Sequence, residues 1–332
     1  MQLGGPAGTG GKHQRLLLTV NFQIQFFNLL YSTDGVHMLK SRIYSAIRPL
    51  VRRMGPHLFN TPLMARLLWD SAPSQSLLLA SCPSESFVVA TGDLVIGQAL
   101  YKQRVPFDFS KLQRVLSLLG EQRLTLLLDI GANIGTICIP AITRGLFEKA
   151  IAIEPEPLNF SLLRTNVELN RIATRITTHN LALGEADDQT LLFDLSASNF
   201  GDHRVRLSQD KADTGGETIQ VPSQTLDRIV EGTDLSSALL WMDTQGFEGH
   251  VLAGATRTLK SRPPLVIEFW PGALARTGGM DRLKAALAQA GYATFFDLEQ
   301  PDAVARPFTT RAIDELAAEL GWEERQTDLL LL

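Results

Sequence analysis

Leu124-Thr-Leu-Leu-Leu-Asp-Ile-Gly-Ala-Asn-Ile-Gly-Thr136 and, after a helix-like segment, Lys149-Ala-Ile-Ala-Ile-Glu-Pro155 decide the fold. The first run is apolar up to Asp129, as a strand buried on both faces requires. Gly131 and Gly135 then make a turn, because glycine takes positive φ and allows close backbone approach. The second apolar run ends in Glu154. Strand, glycine turn, helix, strand and acid form one half of a nucleotide-binding α/β fold.

The same stretch bears on the nucleotide. A dinucleotide site carries Gly-x-Gly-x-x-Gly to seat a pyrophosphate, and that spacing is absent here, against a nicotinamide dehydrogenase. The chain instead has Asp129-x-Gly131-x-x-x-Gly135. An acid at the strand end repels a pyrophosphate and attracts a cation. S-adenosylmethionine (SAM) carries an ammonium and a sulfonium and no phosphate. Glu154 sits where a carboxylate accepts hydrogen bonds from ribose hydroxyls. The expected SAM-binding residues are Asp129, Gly131, Asn133, Gly135 and Glu154. Pro140 lacks an N–H, which is harmless only in the first turn of a helix. That helix should start near Thr136 or Ile137, with its free N–H groups toward the cofactor.

Composition narrows the rest. The chain has 332 residues, 45% hydrophobic and 20% charged, with a net charge of -4. Those values suit an ordinary globular protein, and nothing in them suggests a general nucleic-acid binder. Cys82 and Cys138 are the only cysteines. They make no disulfide framework and no zinc spacing, so a cytoplasmic setting and no metal are expected. No apolar run is long enough for a transmembrane helix.

Three regions are expected. Residues 1–37 read as a disordered or mis-annotated extension, with Met38 and Met1 both open as the start, or as a real arm that could serve dimerisation. Residues 38–120 read as a helical and β-hairpin cap. Its first part is basic at Lys40, Arg42, Arg48, Arg52 and Arg53, a solvated face before a membrane-surface one. Phe87 to Ile96 reads as the hairpin, turning at Gly92-Asp93. Residues 121–332 hold the nucleotide-binding domain. Ile176 to Leu183 reads as its third strand, and Leu191 to Leu195 pairs with Thr218 to Pro222 around a polar loop containing Asn199, Asp202, His203 and Arg204. Ala238 to Met242 and Pro264 to Phe269 are further strands. Strands each followed by a helix predict a doubly wound, mainly parallel α/β sheet.

Leu128-Asp-Ile-Gly-Ala-Asn-Ile-Gly135, Ile153-Glu-Pro-Glu-Pro157, Asn166-Val-Glu-Leu-Asn170, Met242-Asp-Thr-Gln-Gly-Phe-Glu248, Leu252-Ala-Gly-Ala255 and Leu265-Val-Ile-Glu268 together resemble the FkbM family of SAM-dependent methyltransferases. The resemblance covers about residues 87–332. It implies the seven-stranded, Rossmann-like methyltransferase sheet, whose antiparallel last strand would be Thr327 to Leu332. It also implies O-methylation of a hydroxyl on a sugar, polysaccharide or secondary metabolite, so the partner is a small-molecule or glycan acceptor. Many members have Asp-Val-Glu-Gly where this chain has Asp243-Thr-Gln245-Gly. That missing carboxylate leaves room for a non-catalytic SAM-fold scaffold.

Asp243, at the carboxyl end of a central strand, is the first candidate for base or acceptor orienter. Its other reading is a SAM-binding residue that caps the following turn. Glu268, His203 and His250 are further catalytic candidates. Asp243 and Glu268 come without a third ligand type, so no divalent ion is expected between them.

Overall fold

The structure is a computed structural model that describes residues 48–49, 61–73, 75–206, 217–321 and 325–332. The readings of residues 1–37, of Met38 as start, of most of the basic segment and of loop residues 207–216 lie outside the described residues. The chain divides into two compact units, Met1–Thr61 and Pro62–Leu332. All that follows concerns the second.

That unit opens with α1 (Pro62–Ser71), the hairpin strands β1 (Leu77–Ser81) and β2 (Ser86–Ala90), then α2 (Ile96–Gln103) and α3 (Phe109–Leu119). The first core half is β3 (Leu126–Ile130), α4 (Cys138–Thr143), β4 (Lys149–Ile153), α5 (Pro157–Leu169) and β5 (Ile176–His179). Next come β6 (Ala182–Leu183), β7 (Gln189–Asp194), β8 (Arg204–Arg206), β9 (Thr218–Gln224) and α6 (Leu226–Ile229). The second half runs β10 (Ala238–Met242), α7 (Glu248–Ala253), β11 (Leu265–Phe269), α8 (Pro271–Thr277), α9 (Gly279–Ala290) and β12 (Thr294–Asp297). It closes with β13 (Arg306–Pro307), α10 (Thr310–Leu320) and β14 (Thr327–Leu331).

The main sheet has the order β13-β12-β14-β11-β10-β3-β4-β5. Strands β11, β10, β3, β4 and β5 pair in parallel, and β14 lies antiparallel between β11 and β12. These are the seven strands expected, with two-residue β13 added as an eighth at the edge. Every residue of β3, β10 and β11 is buried, which is why their sequences are continuous rather than alternating. Leu127, Leu239 and Trp241 face one core with α3, α4 and α5. Leu128, Leu240 and Met242 face the other with α7, α9 and α10. Burying each such side chain stabilises the fold by about 1.5–3 kcal/mol. From β3 the chain winds outward to β4 and β5, then returns to lay β10 on the opposite side of β3. The carboxyl ends of β3 and β10 are therefore the switch point where open α/β sheets bind ligands.

Two expectations about strands are corrected. The hairpin is β1 with β2, Leu77 opposite Ala90, not Phe87 with Ile96. Asp93 does not turn a hairpin. Its carboxylate accepts the N–H groups of Val95 (3.1 Å), Ile96 (3.2 Å) and Gly97 (2.7 Å), which starts α2. The run Ile176 to Leu183 is two strands. Asn180 breaks it by donating to the carbonyls of Glu154 and Pro155, and β6 joins a second sheet, β6-β9-β7-β8.

Asn166 and Asn170, one turn apart on α5, bind the hairpin to the core. Their side-chain amides accept from the N–H groups of Val88 and Ser86 and donate back to the same residues' carbonyls, as a neighbouring strand would. No helix among the described residues is long and apolar enough to cross a membrane.

Candidate functional site

The glycine turn is built by the two strands it joins. Gly131 and Ala132 both donate to the Ile153 carbonyl at 3.0 Å, tying the end of β3 to the end of β4. Gly131 has φ +83, and a Cβ there would stand 1.8 Å from the Asp243 carbonyl oxygen. Gly135 has φ +93, and a Cβ would stand 2.6 Å from Ile139 Cδ1. Both glycines are thus required by protein packing, Gly131 at the switch point itself, where close approach to a ligand was the expected reason.

Asp129 is buried and does not line the cavity. Its Oδ2 accepts the Cys138 N–H at 3.0 Å, so it fastens α4 to β3, and burial pushes it up to about 6. The helix N–H expected to face a cofactor is, at Cys138, already taken. The helix itself runs Cys138–Thr143 with Pro140 in its first turn, as the proline requires.

Glu154 does line the cavity. Its Oε2 accepts the Asn133 N–H and its Oε1 the Glu156 N–H, both at 2.8 Å. Each oxygen keeps a lone pair for a ligand. Burial pushes Glu154 up to about 8, against the pull of those two donors. Asn133, at φ +50, also lines the cavity, but its side chain is spent on loops. Its Oδ1 accepts from Ile134 N and its Nδ2 donates to the Phe200 carbonyl.

Asp243 follows β10 and lines the cavity with Thr244, Gln245 and Phe247. Gln245 Nε2 donates to Asp243 Oδ1 (2.6 Å) and to Glu268 Oε1 (3.2 Å). Burial pushes Asp243 up to about 7, with the Gln245 hydrogen bond opposing. Glu268 is buried, outside the cavity lining, and held well above the usual carboxylate range by burial and then by Asp243. Among the described residues, no group of three His, Cys, Asp or Glu is placed to hold a metal ion.

A loop before β8 forms the facing wall. Phe200, Gly201, His203 and Val205 line the cavity. The Phe200 peptide is clamped on both sides. Its carbonyl accepts from Asn133 and Asn159 Nδ2, and its N–H donates to Asp93 Oδ1 at 3.4 Å. His203 Nδ1 accepts the Ser196 N–H at 3.0 Å, and burial lowers the ring to about 4. The neutral ring then carries its proton on Nε2, which makes His203 a donor rather than a base. His250 lies outside the cavity lining. Its Nδ1 meets Glu185 and its Nε2 the Thr277 carbonyl, and its ring stacks on Phe247 at 4.2 Å.

The cavity is an open cleft with about 640 Å³ of empty space, the solvent at its mouth included. Sequence reasoning located Gly131, Asn133, Glu154, Asp243 and His203 on it, and missed Gln245 as a bridge and Phe200 as a wall. The aromatic between Asn199 and Gly201 in an otherwise polar loop was the available signal for Phe200.

No curated protein matches the chain. Among solved structures it is similar to the methyltransferase FkbM of Methylobacillus flagellatus KT, at 20% identity and TM-score 0.41, over 70% of this chain and 50% of that one. The chain thus spans half the length of that relative. It is also similar to the human methyltransferase 10 domain containing protein, at 15% identity and TM-score 0.40, over 82% of this chain and 97% of that one. A third is P. horikoshii TYW2 in complex with MeSAdo, at 12% identity and TM-score 0.35, over 84% and 85% of the two chains. With scores this low, the topology stands on the chain's own strand order. Residues 129–294, half of the 332, match the methyltransferase FkbM domain, and the chain belongs to the FkbM methyltransferase family.

Proposed function

We propose that this chain is a SAM-dependent methyltransferase that methylates a hydroxyl of a sugar, polysaccharide or secondary metabolite. The observation that carries the reading is the pairing of Glu154 and Asp243 on one cavity at the switch point of the sheet. The donor set suits the cofactor. Glu154 offers acceptor oxygens to the ribose hydroxyls. Ile153, Pro155, Leu181 and Phe193 offer apolar surface to the adenine. Among the described residues the cavity lining includes no lysine or arginine, which disfavours a pyrophosphate.

The bound cofactor supplies an already activated methyl group. The protein's part is to hold the acceptor in line and take its proton. Good orientation is worth ~7–11 kcal/mol, and a placed base adds ~10²–10⁴-fold. Asp243 is the base, held near neutral pH by its burial. His203 Nε2–H is a donor to an acceptor oxygen, and Asn133 braces the glycine turn against the Phe200 loop.

Calorimetric titration of SAM, and separately of NAD, into the purified protein tests this. Micromolar SAM affinity with no NAD binding is expected. A folded sample that binds no SAM overturns the reading and favours a non-catalytic scaffold.

A further inference from the structure

Asp243 and Glu268 stand at the carboxyl ends of adjacent parallel strands, β10 and β11. Two buried carboxylates side by side repel when both are charged. The group between them is the side-chain amide of Gln245, whose two N–H hydrogens serve both acids, Asp243 Oδ1 at 2.6 Å and Glu268 Oε1 at 3.2 Å. A carboxylate at this position has no hydrogen to give either neighbour.

The backbone fixes where that amide sits. Gln245 has φ +55 and Gly246 φ +93, two successive left-handed residues. A Cβ on Gly246 would stand 2.4 Å from Ala273 Cβ, so the turn is pressed against α8. Buried Glu248 holds the turn from inside, its Oε1 accepting from Thr244 N, Thr244 Oγ1 and Gly246 N. Asp243 Oδ1 is therefore occupied, and Oδ2 takes no hydrogen bond from the described residues.

We propose that Gln245 is the positioning residue for Asp243: its amide separates Asp243 from Glu268, turns the Asp243 carboxylate, and leaves Oδ2 as the atom that receives the acceptor's proton. This rests on the reading of Asp243 as the base. In the step, the acceptor's O–H bond breaks and its proton goes to Oδ2. The oxygen's electron pair forms the new bond to the methyl carbon, and the carbon–sulfur pair leaves with the sulfur. The family's Glu-to-Gln departure is thereby a working part of the site.

The test is a carboxyl ¹³C NMR titration of the full chain labelled at aspartate, with Asp243→Asn to assign the Asp243 signal. Wild type is compared with Gln245→Met, which removes the donors, and Gln245→Glu, which keeps the shape. The Asp243 midpoint is expected to rise by a full pH unit or more in each, because a hydrogen bond to the charged form is lost. An unchanged midpoint in either folded variant overturns the proposal, and Gln245→Glu carries the test if Gln245→Met does not fold. Calorimetry with S-adenosylhomocysteine on the wild type separates the two readings. Binding with no midpoint change sinks the positioning role alone. A midpoint change in a protein that binds no S-adenosylhomocysteine sinks the cofactor reading and leaves the Gln245 geometry standing.

Discussion

Two strand ends in this molecule carry a carboxylate into the same cavity, and each is held by different means. Glu154, after β4, is gripped at both oxygens by backbone N–H groups, those of Asn133 and Glu156. Asp243, after β10, is gripped at one oxygen by a side-chain amide. Backbone support comes with the path of the chain, so any sequence that keeps the turn keeps the grip. Side-chain support is set by one residue and can change while the fold stays. On the proposed function, the first end would serve the cofactor and the second the acceptor.

The contrast breaks first at Asp243. Asp243→Asn is expected to lower methyl transfer by ~10²–10⁴-fold, with S-adenosylhomocysteine affinity within about threefold of wild type. Tritiated methyl transfer to an acceptor found by screening, paired with calorimetry, reads both numbers; a matching loss of affinity would move Asp243 from the acceptor end to the cofactor end. Glu154→Ala sharpens the other side, weakening SAM by at least about tenfold, roughly 1.4 kcal/mol. Unchanged affinity would show that the backbone-held acid does not face the ribose.

A smaller effect joins the two ends. Burial raises Asp129 to about 6, Asp243 to about 7 and Glu154 to about 8. Each group binds its proton more tightly folded than unfolded. The folded state then carries more protons between the ordinary carboxylate range and those values, so stability falls as pH rises through that window. Urea midpoints measured at about pH 5 and about pH 8 should show the ligand-free protein less stable at the higher value. A midpoint that rises instead would mean that these acids are charged in the folded protein at low pH.

The end held by backbone was also the legible one. Continuous apolar runs marked β3, β4, β10 and β11, and Pro140 fixed the start of α4 to within a residue or two. The glycine turn at Gly131 and Gly135 and the place of Glu154 after β4 could be read because their spacing follows from the chain path. The hairpin was misplaced because Gly92-Asp93 carries turn chemistry that also starts a helix, and the Asp93 carboxylate resolves the choice through Val95, Ile96 and Gly97. The break at Asn180 and the grip on Phe200 depend on side chains reaching residues distant in sequence. Asn180 reaches back to Glu154, and Asp93 reaches across to Phe200. No local pattern encodes such contacts. Gln245 was noticed only as a departure, because a bridge between two acids exists only once β10 and β11 lie side by side.

Strand β14 has a consequence for how the molecule is made. It separates β11 from β12, and among the described residues β12 pairs only with β13 and β14. Both neighbours are synthesised first, yet the edges they turn toward β14 stay unpaired until Thr327–Leu331 has left the ribosome. During translation β11 therefore waits with an open edge beside the strand that carries Asp243. Such an edge is a template for unwanted pairing. The interval is short at ordinary elongation rates, but a pause within α10 would lengthen it, and the burden would fall on the half of the sheet that holds the proposed acceptor site.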